Sequence, residues 1–204
     1  MYDLSLNWRF FERVCRFPQL SAALLALLQD RDGMIRRYAS GFLVRIGRDA
    51  NPMVPDLMNK LGDADVFVRR NLLAVIGINM KETRPPIPII VSCLPDADYL
   101  VRRYAAEILG RAGRDARSAI QPLVQLLAAD KSLAQNISVV LAQIAQALQD
   151  DRQTEALADL ETAYTALAGS EAAGLAPHVA TLEGLVGQRV KYPTPRMIPS
   201  PKSS

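Results

Sequence analysis

The sequence has few of the residues on which many protein chemistries depend. Its 204 residues include two cysteines and one histidine, and aromatic side chains make up 6% of them. Two cysteines cannot form a disulfide framework, which indicates a reducing compartment, so we expect a cytoplasmic protein. No apolar run reaches the roughly 20 residues of a membrane span, and the N-terminus lacks the apolar segment of a signal peptide.

Recognisable catalytic and metal-binding patterns are also lacking. His178 stands alone, and both cysteines, Cys15 and Cys93, lie in apolar surroundings where an inert thiol is expected. The sequence contains no phosphate-binding loop, zinc-ligand pair or nucleophile elbow. Its Asp-x-Asp pairs lack the turn glycine of a calcium loop. We therefore expect no enzymatic activity, no metal and no cofactor, although carboxylates and arginines alone can support catalysis.

What the chain does contain is an internal repeat. The pattern Asp-x-Asp-x-x-(Ile/Val)-Arg-Arg occurs at residues 30–37, 63–70 and 96–103, at a spacing of 33 residues. A constant period of this kind is the signature of a repeat protein. Residues 19–29 fit the second half of an earlier unit. After residue 128, apolar residues still occur at the equivalent positions of the repeat, but both the Asp-x-Asp and the Arg-Arg signals are lost.

Each unit is predicted to form a pair of helices. Apolar residues recur at i, i+4, i+7, i+8 and i+11, which is one face of a helix, and the Asp pair lies at the expected N-cap. Gly47 and Gly113 are predicted to end first helices, and Pro52, Pro85 and Pro86 lie near the start of second ones. Because one pair cannot bury its apolar stripe alone, we expect an all-α fold, a right-handed α-solenoid of stacked antiparallel helix pairs.

The composition divides the chain into four parts. They are an N-terminal capping helix (1–18), a half unit plus three full repeats (19–128), a degenerate repeat with an acidic helical cap (129–187) and a Pro-rich basic tail (188–204). The repeats from residue 30 onward carry 15 basic and 11 acidic side chains, whereas the cap carries 2 and 8. The acidic cap therefore opposes a basic middle.

The repeat pattern resembles a known family. The run from Val101 to Gly113, with Arg102-Arg103 followed by small and apolar residues, resembles HEAT-like repeats of the phycobilisome-lyase type. The resemblance covers residues 30–128 well and the flanking segments poorly. It implies the stacked-helix fold, and it implies functions that range over scaffolds, adaptors, lyase subunits and some nucleic-acid binders.

The repeated charges have two predicted roles. The first arginine of each pair lies beside the apolar stripe, within reach of the aspartates of an adjacent unit, and is interpreted as part of a structural ladder. The ladder residues are Asp30, Asp63, Asp96, Arg36, Arg69 and Arg102. The second arginine lies about 180° from the stripe, as does a cation three turns later. These residues, Arg37, Arg70, Arg103, Arg48, Lys81 and Arg114, are predicted to form a solvent-facing basic band.

The N-terminal segment is rich in aromatic residues that are candidates for docking. Trp8 and Phe11 share one helical face with apolar neighbours, while Phe10 lies on a second face. One face is expected to cap the first repeat. The other packs against the C-terminal helices, binds a partner, or lies at a membrane surface.

Together these features predict a non-enzymatic protein-interaction module, a small adaptor or a subunit of a larger assembly. The predicted partner-binding residues are those of the basic band together with Trp8, Phe10 and Phe11. One alternative is nucleic-acid binding through the same band, although its modest net charge and few aromatics weaken that interpretation. A second alternative, a phycobilin-lyase-type subunit, is implied by the resemblance alone.

Overall fold

The computed structural model of the chain describes residues 18–150 and Thr165, with side-chain environments for residues 20–148 and Thr165. The N-terminal capping helix predicted for residues 1–18, including Trp8, Phe10 and Phe11, therefore lies outside the described residues apart from its last position. The same holds for most of the acidic cap, including His178, and for the whole of the Pro-rich tail.

Residues 18–150 form helices joined by short turns, and this segment contains no β-strand. The α-helices are α1 (Pro18–Leu27), α2 (Gly33–Ile46), α3 (Val54–Met58), α4 (Val66–Asn79), α5 (Ile87–Val91), α6 (Tyr99–Ala112), α7 (Ile120–Ala129) and α8 (Ala134–Asp150). Segments of 3-10 helix occupy Gly47–Met53, Gly113–Ala119 and Lys131–Leu133. None of these helices has both the length and the apolar character needed to cross a membrane.

The two helices of a unit differ in length. The first helices, α2, α4 and α6, have 14 residues each, whereas the second helices α3 and α5 have five. Prolines lie at the start of these second helices, where the missing backbone N–H costs little. Pro52 lies inside the 3-10 segment before α3, and Pro86 directly precedes α5.

The ends of the first helices follow the predicted signals. The N-cap is the second aspartate of each pair, and its carboxylate accepts a backbone N–H two or three residues later at 2.8–3.0 Å. These N-caps are Asp32, Asp65 and Asp98. Gly47 and Gly113 end α2 and α6 with φ of 58° and 57°, a left-handed conformation that glycine adopts without steric cost. The predicted glycine stops are therefore confirmed.

The helices stack in chain order around one continuous apolar core. Helix α4 packs between α2 and α6, and α8 packs on the other side of α6. Leu43, Ile76 and Leu109 occupy equivalent positions in the three units, and each is fully buried in this core. The expected all-α arrangement of stacked helical repeats is confirmed, and α8 takes the place that the first helix of a fourth unit would have.

Candidate functional site

The first arginine of each pair ties the loop of its own unit to the loop of the next unit. Arg36 donates from Nε and Nη2 to the two carboxylate oxygens of Asp63 at 2.8 and 3.0 Å, and from Nη1 to the carbonyl oxygen of Asp30 at 2.9 Å. Arg69 repeats this pattern on Asp96, at 2.8 and 2.9 Å, and on the carbonyl of Asp63, at 2.7 Å. A planar guanidinium suits this bidentate geometry, which fixes the register between neighbouring units.

The ladder extends one unit further than its sequence signal. Arg102 donates from Nη2 to Asp130 at 2.7 Å, although the sequence pattern had placed no aspartate there. The Asp-x-Asp pair is lost here, as the sequence indicates, but its first aspartate persists as Asp130, which stands 34 residues after Asp96 rather than 33. Ser132 replaces the second aspartate, and its hydroxyl donates to the Asp130 carboxylate at 2.5 Å. This hydrogen bond, followed by the one from Arg102, lowers the pKa of Asp130.

The second arginines differ from the prediction that they form an outward, solvated row. Arg37 donates to Asp65 at 2.5 Å, and Arg70 donates to Asp98 from both Nε and Nη2. The arginine side chains keep 38% and 28% exposure. The angular position on a single helix had indicated solvent, but the N-cap loop of the next unit lies beneath each guanidinium. This row is therefore largely neutralised, and its placement in a free basic band is wrong.

Arg103 has a different partner because the following unit lacks a second aspartate. Its Nε donates to Glu107 on the same helix at 2.8 Å, and the Arg103 side chain is 45% exposed. Ser132 offers no carboxylate in the corresponding position. Arg103 thus forms an i, i+4 ion pair within its own helix and does not link two units.

The ion pair between Arg70 and Asp98 makes the free energy of unfolding depend on pH. The hydrogen bond from Arg70 lowers the pKa of Asp98 from its ordinary 3.8 to about 2, against desolvation, and the N–H of Val101 adds to the effect. A carboxyl whose pKa is lower in the folded state stabilises the fold above its unfolded pKa, and this contribution is lost as the pH falls through the folded pKa.

We therefore expect the free energy of unfolding to fall as the pH drops from about 4 to about 2, with about 1–2 kcal/mol coming from Asp98 after solvent screening. Urea unfolding of the wild type and of Asp98→Asn across this range measures it. Asparagine keeps the N-cap but loses the charge. The variant should be less stable at neutral pH and should lose less on acidification. Parallel pH curves for the two proteins would refute the assignment.

Exposed apolar side chains recur on the N-terminal halves of the first helices. They are Met34, Tyr38, Phe67 and Tyr99, which are 46%, 73%, 45% and 39% exposed, and we call them the aromatic face. The guanidinium carbons of Arg37 and Arg70 lie 4.3 and 5.2 Å from the centroid of the Phe67 ring. Because both arginines are also paired with aspartates, they form a rigid, nearly neutral border around this ring. This face was not predicted from the sequence.

Five cations line a groove of about 790 Å³ at the opposite, C-terminal ends of the first helices. The groove brings together the three cations predicted for the far end of the basic band, and it adds two that were not predicted. We call these five residues the basic groove: Arg48, Lys81, Arg84, Arg111 and Arg114. One carboxylate, Asp115, and apolar residues including Ile78, Met80 and Ile87 complete its lining.

Little negative charge offsets the cations of the basic groove. Arg84 donates from Nη1 to Asp115 at 3.2 Å, and the nearest contact between Arg114 and this carboxylate is 3.9 Å. Arg111 donates to the carbonyl oxygen of Gly77 at 3.2 Å. Arg48 and Lys81 are exposed and form no ion pair with any residue in the described part of the chain. No carboxylate among residues 20–148 therefore competes with a ligand for the two cations contributed by the ends of α2 and α4.

Cys93 does not have the environment of a catalytic thiol. Its side chain is buried, and burial raises the pKa of the thiol, which disfavours the reactive thiolate. Within the described residues, no cluster of three or more histidine, cysteine or acidic side chains could hold a metal ion.

Comparison with known proteins agrees with the stacked helical pairs. A family model described as HEAT repeats matches residues 54–149. The crystal structure of an engineered protein, 18% identical, superposes with a TM-score of 0.56 over 81% of this chain and 78% of that chain. A designed armadillo repeat protein, 17% identical, gives a TM-score of 0.47 over 80% of this chain and 98% of that chain. A search of curated proteins finds no match.

Proposed function

Because this chain is a HEAT-like repeat protein, we propose that it is a non-enzymatic scaffold that binds another protein, as an adaptor or as a subunit of a larger assembly. The observation that supports this proposal is the aromatic face. Four of the six large apolar side chains that are exposed in the described residues lie on it, and the other two are Leu27 and Ile78. Exposed apolar side chains that recur at the same end of successive helices favour an interaction site over singly scattered surface residues.

The chemistry of the aromatic face suits a protein partner. Tyrosine, phenylalanine, methionine and arginine are enriched at the centres of protein interfaces, where a few of them provide most of the binding energy. Asp65 and Asp98 hold the arginines beside Phe67 in place, so little side-chain entropy remains to be lost on binding. A partner would therefore meet a surface that is already ordered.

The other predicted features fit this proposal to different degrees. Trp8, Phe10 and Phe11 remain proposed docking residues. The pairing of Arg37 and Arg70 removes two of the six cations on which nucleic-acid binding was based. The phycobilin-lyase alternative rests on the family resemblance alone.

We propose the cytoplasm as the location, since the unpaired Cys93 is typical of a reducing compartment.

Tyr38→Ala tests this function, because Tyr38 is the most exposed member of the aromatic face. We expect the melting temperature to stay unchanged and partner affinity to fall by at least about 30-fold, the loss typical of a hot-spot residue. The partner is first isolated by purifying the tagged protein from its own host, with nuclease treatment, followed by mass spectrometry. Its affinity is then measured by calorimetry.

The matched control for this experiment is Leu27→Ala, which truncates a side chain that is 43% exposed on α1, a helix that carries no member of the aromatic face. A stoichiometric protein partner that binds this control normally but is released by Tyr38→Ala supports the proposal. If Tyr38→Ala binds the partner as tightly as the wild type, or if all bound material disappears on nuclease treatment, the proposal is wrong.

A further inference from the structure

The basic groove is a second site with its own chemistry, at the opposite end of the first helices from the aromatic face. We propose that it binds an acidic peptide segment that also carries an apolar side chain. Its volume of about 790 Å³ lies within the range of about 300–1,000 Å³ that is usual for ligand sites. This inference does not depend on the aromatic face, because no residue is shared between the two surfaces.

The excess of positive charge in the basic groove sets it apart from the arginine–aspartate ladder. Among the repeat arginines of the ladder, each guanidinium has its own carboxylate. In the groove, five cations are accompanied by the single carboxylate of Asp115, which leaves a net charge of +4. A concave surface lined by one sign of charge concentrates ligands of the opposite sign.

Helix ends account for only part of this positive charge. The C-terminus of a helix carries about half a negative charge, which favours nearby cations. The ends of α2, α4 and α6, which precede Arg48, Lys81 and Arg114, therefore offset at most about one and a half charges. More than two positive charges remain for a ligand. Arg48 and Lys81 supply them most readily, because both are exposed and outside any ion pair in the described residues.

The apolar part of the lining favours a peptide over a nucleic acid. Ile78 is 39% exposed, and it lines the groove together with Met80 and Ile87. These side chains can contact a leucine-like residue, but they offer nothing to a phosphate backbone. Single-stranded nucleic acids generally stack on aromatic side chains, and none of the residues that line the groove is aromatic.

The groove can be tested with synthetic probes on the full chain, without knowledge of the natural partner. The probe is a short fluorescein-labelled peptide of glutamate and leucine, and its binding is followed by fluorescence anisotropy. Two related peptides replace glutamate by glutamine, or leucine by serine. A single-stranded oligonucleotide of equal net charge is the fourth probe. Comparison of the four separates charge, apolar contact and phosphate recognition.

The variants reverse or remove charge at the two unpaired cations. Arg48→Glu with Lys81→Glu reverses both, and Arg48→Gln with Lys81→Gln neutralises them as a milder change. The matched control is Arg31→Glu, an exposed charge reversal in the loop before α2, at the other end of that helix. Circular dichroism verifies that each variant is folded before binding is measured.

We expect the glutamate–leucine peptide to bind the wild type and Arg31→Glu equally, and the charge-reversed variant at least about tenfold more weakly. Binding should weaken with the glutamine peptide, which lacks the negative charge, and with the serine peptide, which lacks the apolar side chain. Added salt should also weaken binding, because screening shortens the range of the attraction. Absence of binding to the wild type, an equal loss with Arg31→Glu, or equally tight oligonucleotide binding would overturn the proposal. Tyr38→Ala should bind the peptide normally, so the failure of one proposal is distinguishable from failure of the other.

Discussion

Replacing Arg69 by alanine is expected to lower the free energy of unfolding by about 3 kcal/mol. Arg69 holds Asp96 through two hydrogen bonds and also binds the carbonyl oxygens of Asp63 and Ala64. Its loss leaves the Asp96 carboxylate without its counter-charge, and that side chain is only 14% exposed. Removing one partner of a fully buried ion pair costs about 3–5 kcal/mol, and the residual exposure places this pair at the lower end.

Urea unfolding at neutral pH, followed by circular dichroism, measures this loss. The control is Arg84→Ala, which removes an arginine from an ion pair whose side chains are 76% and 44% exposed. Exposed pairs contribute about 0–1 kcal/mol, so this variant should unfold almost as the wild type does. Equal effects of the two substitutions would show that the ladder does not stabilise the stack.

Leu109→Ala is expected to cost about 2–5 kcal/mol, the range for truncating a large buried side chain. Leu109 is fully buried on α6, the helix that packs against both α4 and α8. A cavity at this position weakens both sides of the stack, because in a solenoid each unit is stabilised mainly by its neighbours. Thermal and urea unfolding of the purified chain give the loss directly.

Leu27→Ala makes the same chemical change at a position that is 43% exposed on α1. We expect it to cost less than about 1 kcal/mol, because much of that side chain stays in water in the folded state and its truncation leaves no enclosed cavity. If Leu109→Ala left the melting curve unchanged, or matched Leu27→Ala, the assignment of Leu109 to the core would be wrong.

The sequence predicts the parts of the fold that are local or periodic. The column of Leu43, Ile76 and Leu109 is buried because a 33-residue period returns each residue to the same face. The stops at Gly47 and Gly113 are local as well, since glycine alone adopts a positive φ without cost. Such signals need no knowledge of the neighbouring unit.

The features that sequence reasoning missed depend on contacts between units. A single inserted residue moved Asp130 out of the period, so its role as a partner of Arg102 was hidden. The helical wheel placed Arg37 opposite the core, but it could not show that the loop holding Asp65 lies beneath the guanidinium. In both cases the missing information is the position of one unit relative to the next.

The basic groove shows the same limit. Arg48, Lys81 and Arg114 share a column of the repeat and could be selected together from the sequence. Arg84 and Arg111 belong to other columns, in which the corresponding residues of adjacent units include Asn51 and Ile78. Only the stacking of α2, α4 and α6 brings all five cations to one groove, so neither its depth nor its apolar lining could be predicted.

The arginine–aspartate ladder gives the array a direction. Each ion pair of the ladder joins an arginine of one unit to a carboxylate of the unit that follows. A duplicated unit inserted between existing ones would therefore bring both the arginine and the aspartate that its contacts require. Helix α8 has Asn136 and Ile137 where a further arginine pair would stand, allowing for the inserted residue before it. A copy appended beyond α8 would find no guanidinium to hold its first aspartate. By this mechanism copies can be added within the array or before its first unit, but not beyond α8, which fixes the C-terminal boundary of the array while its length remains open to change.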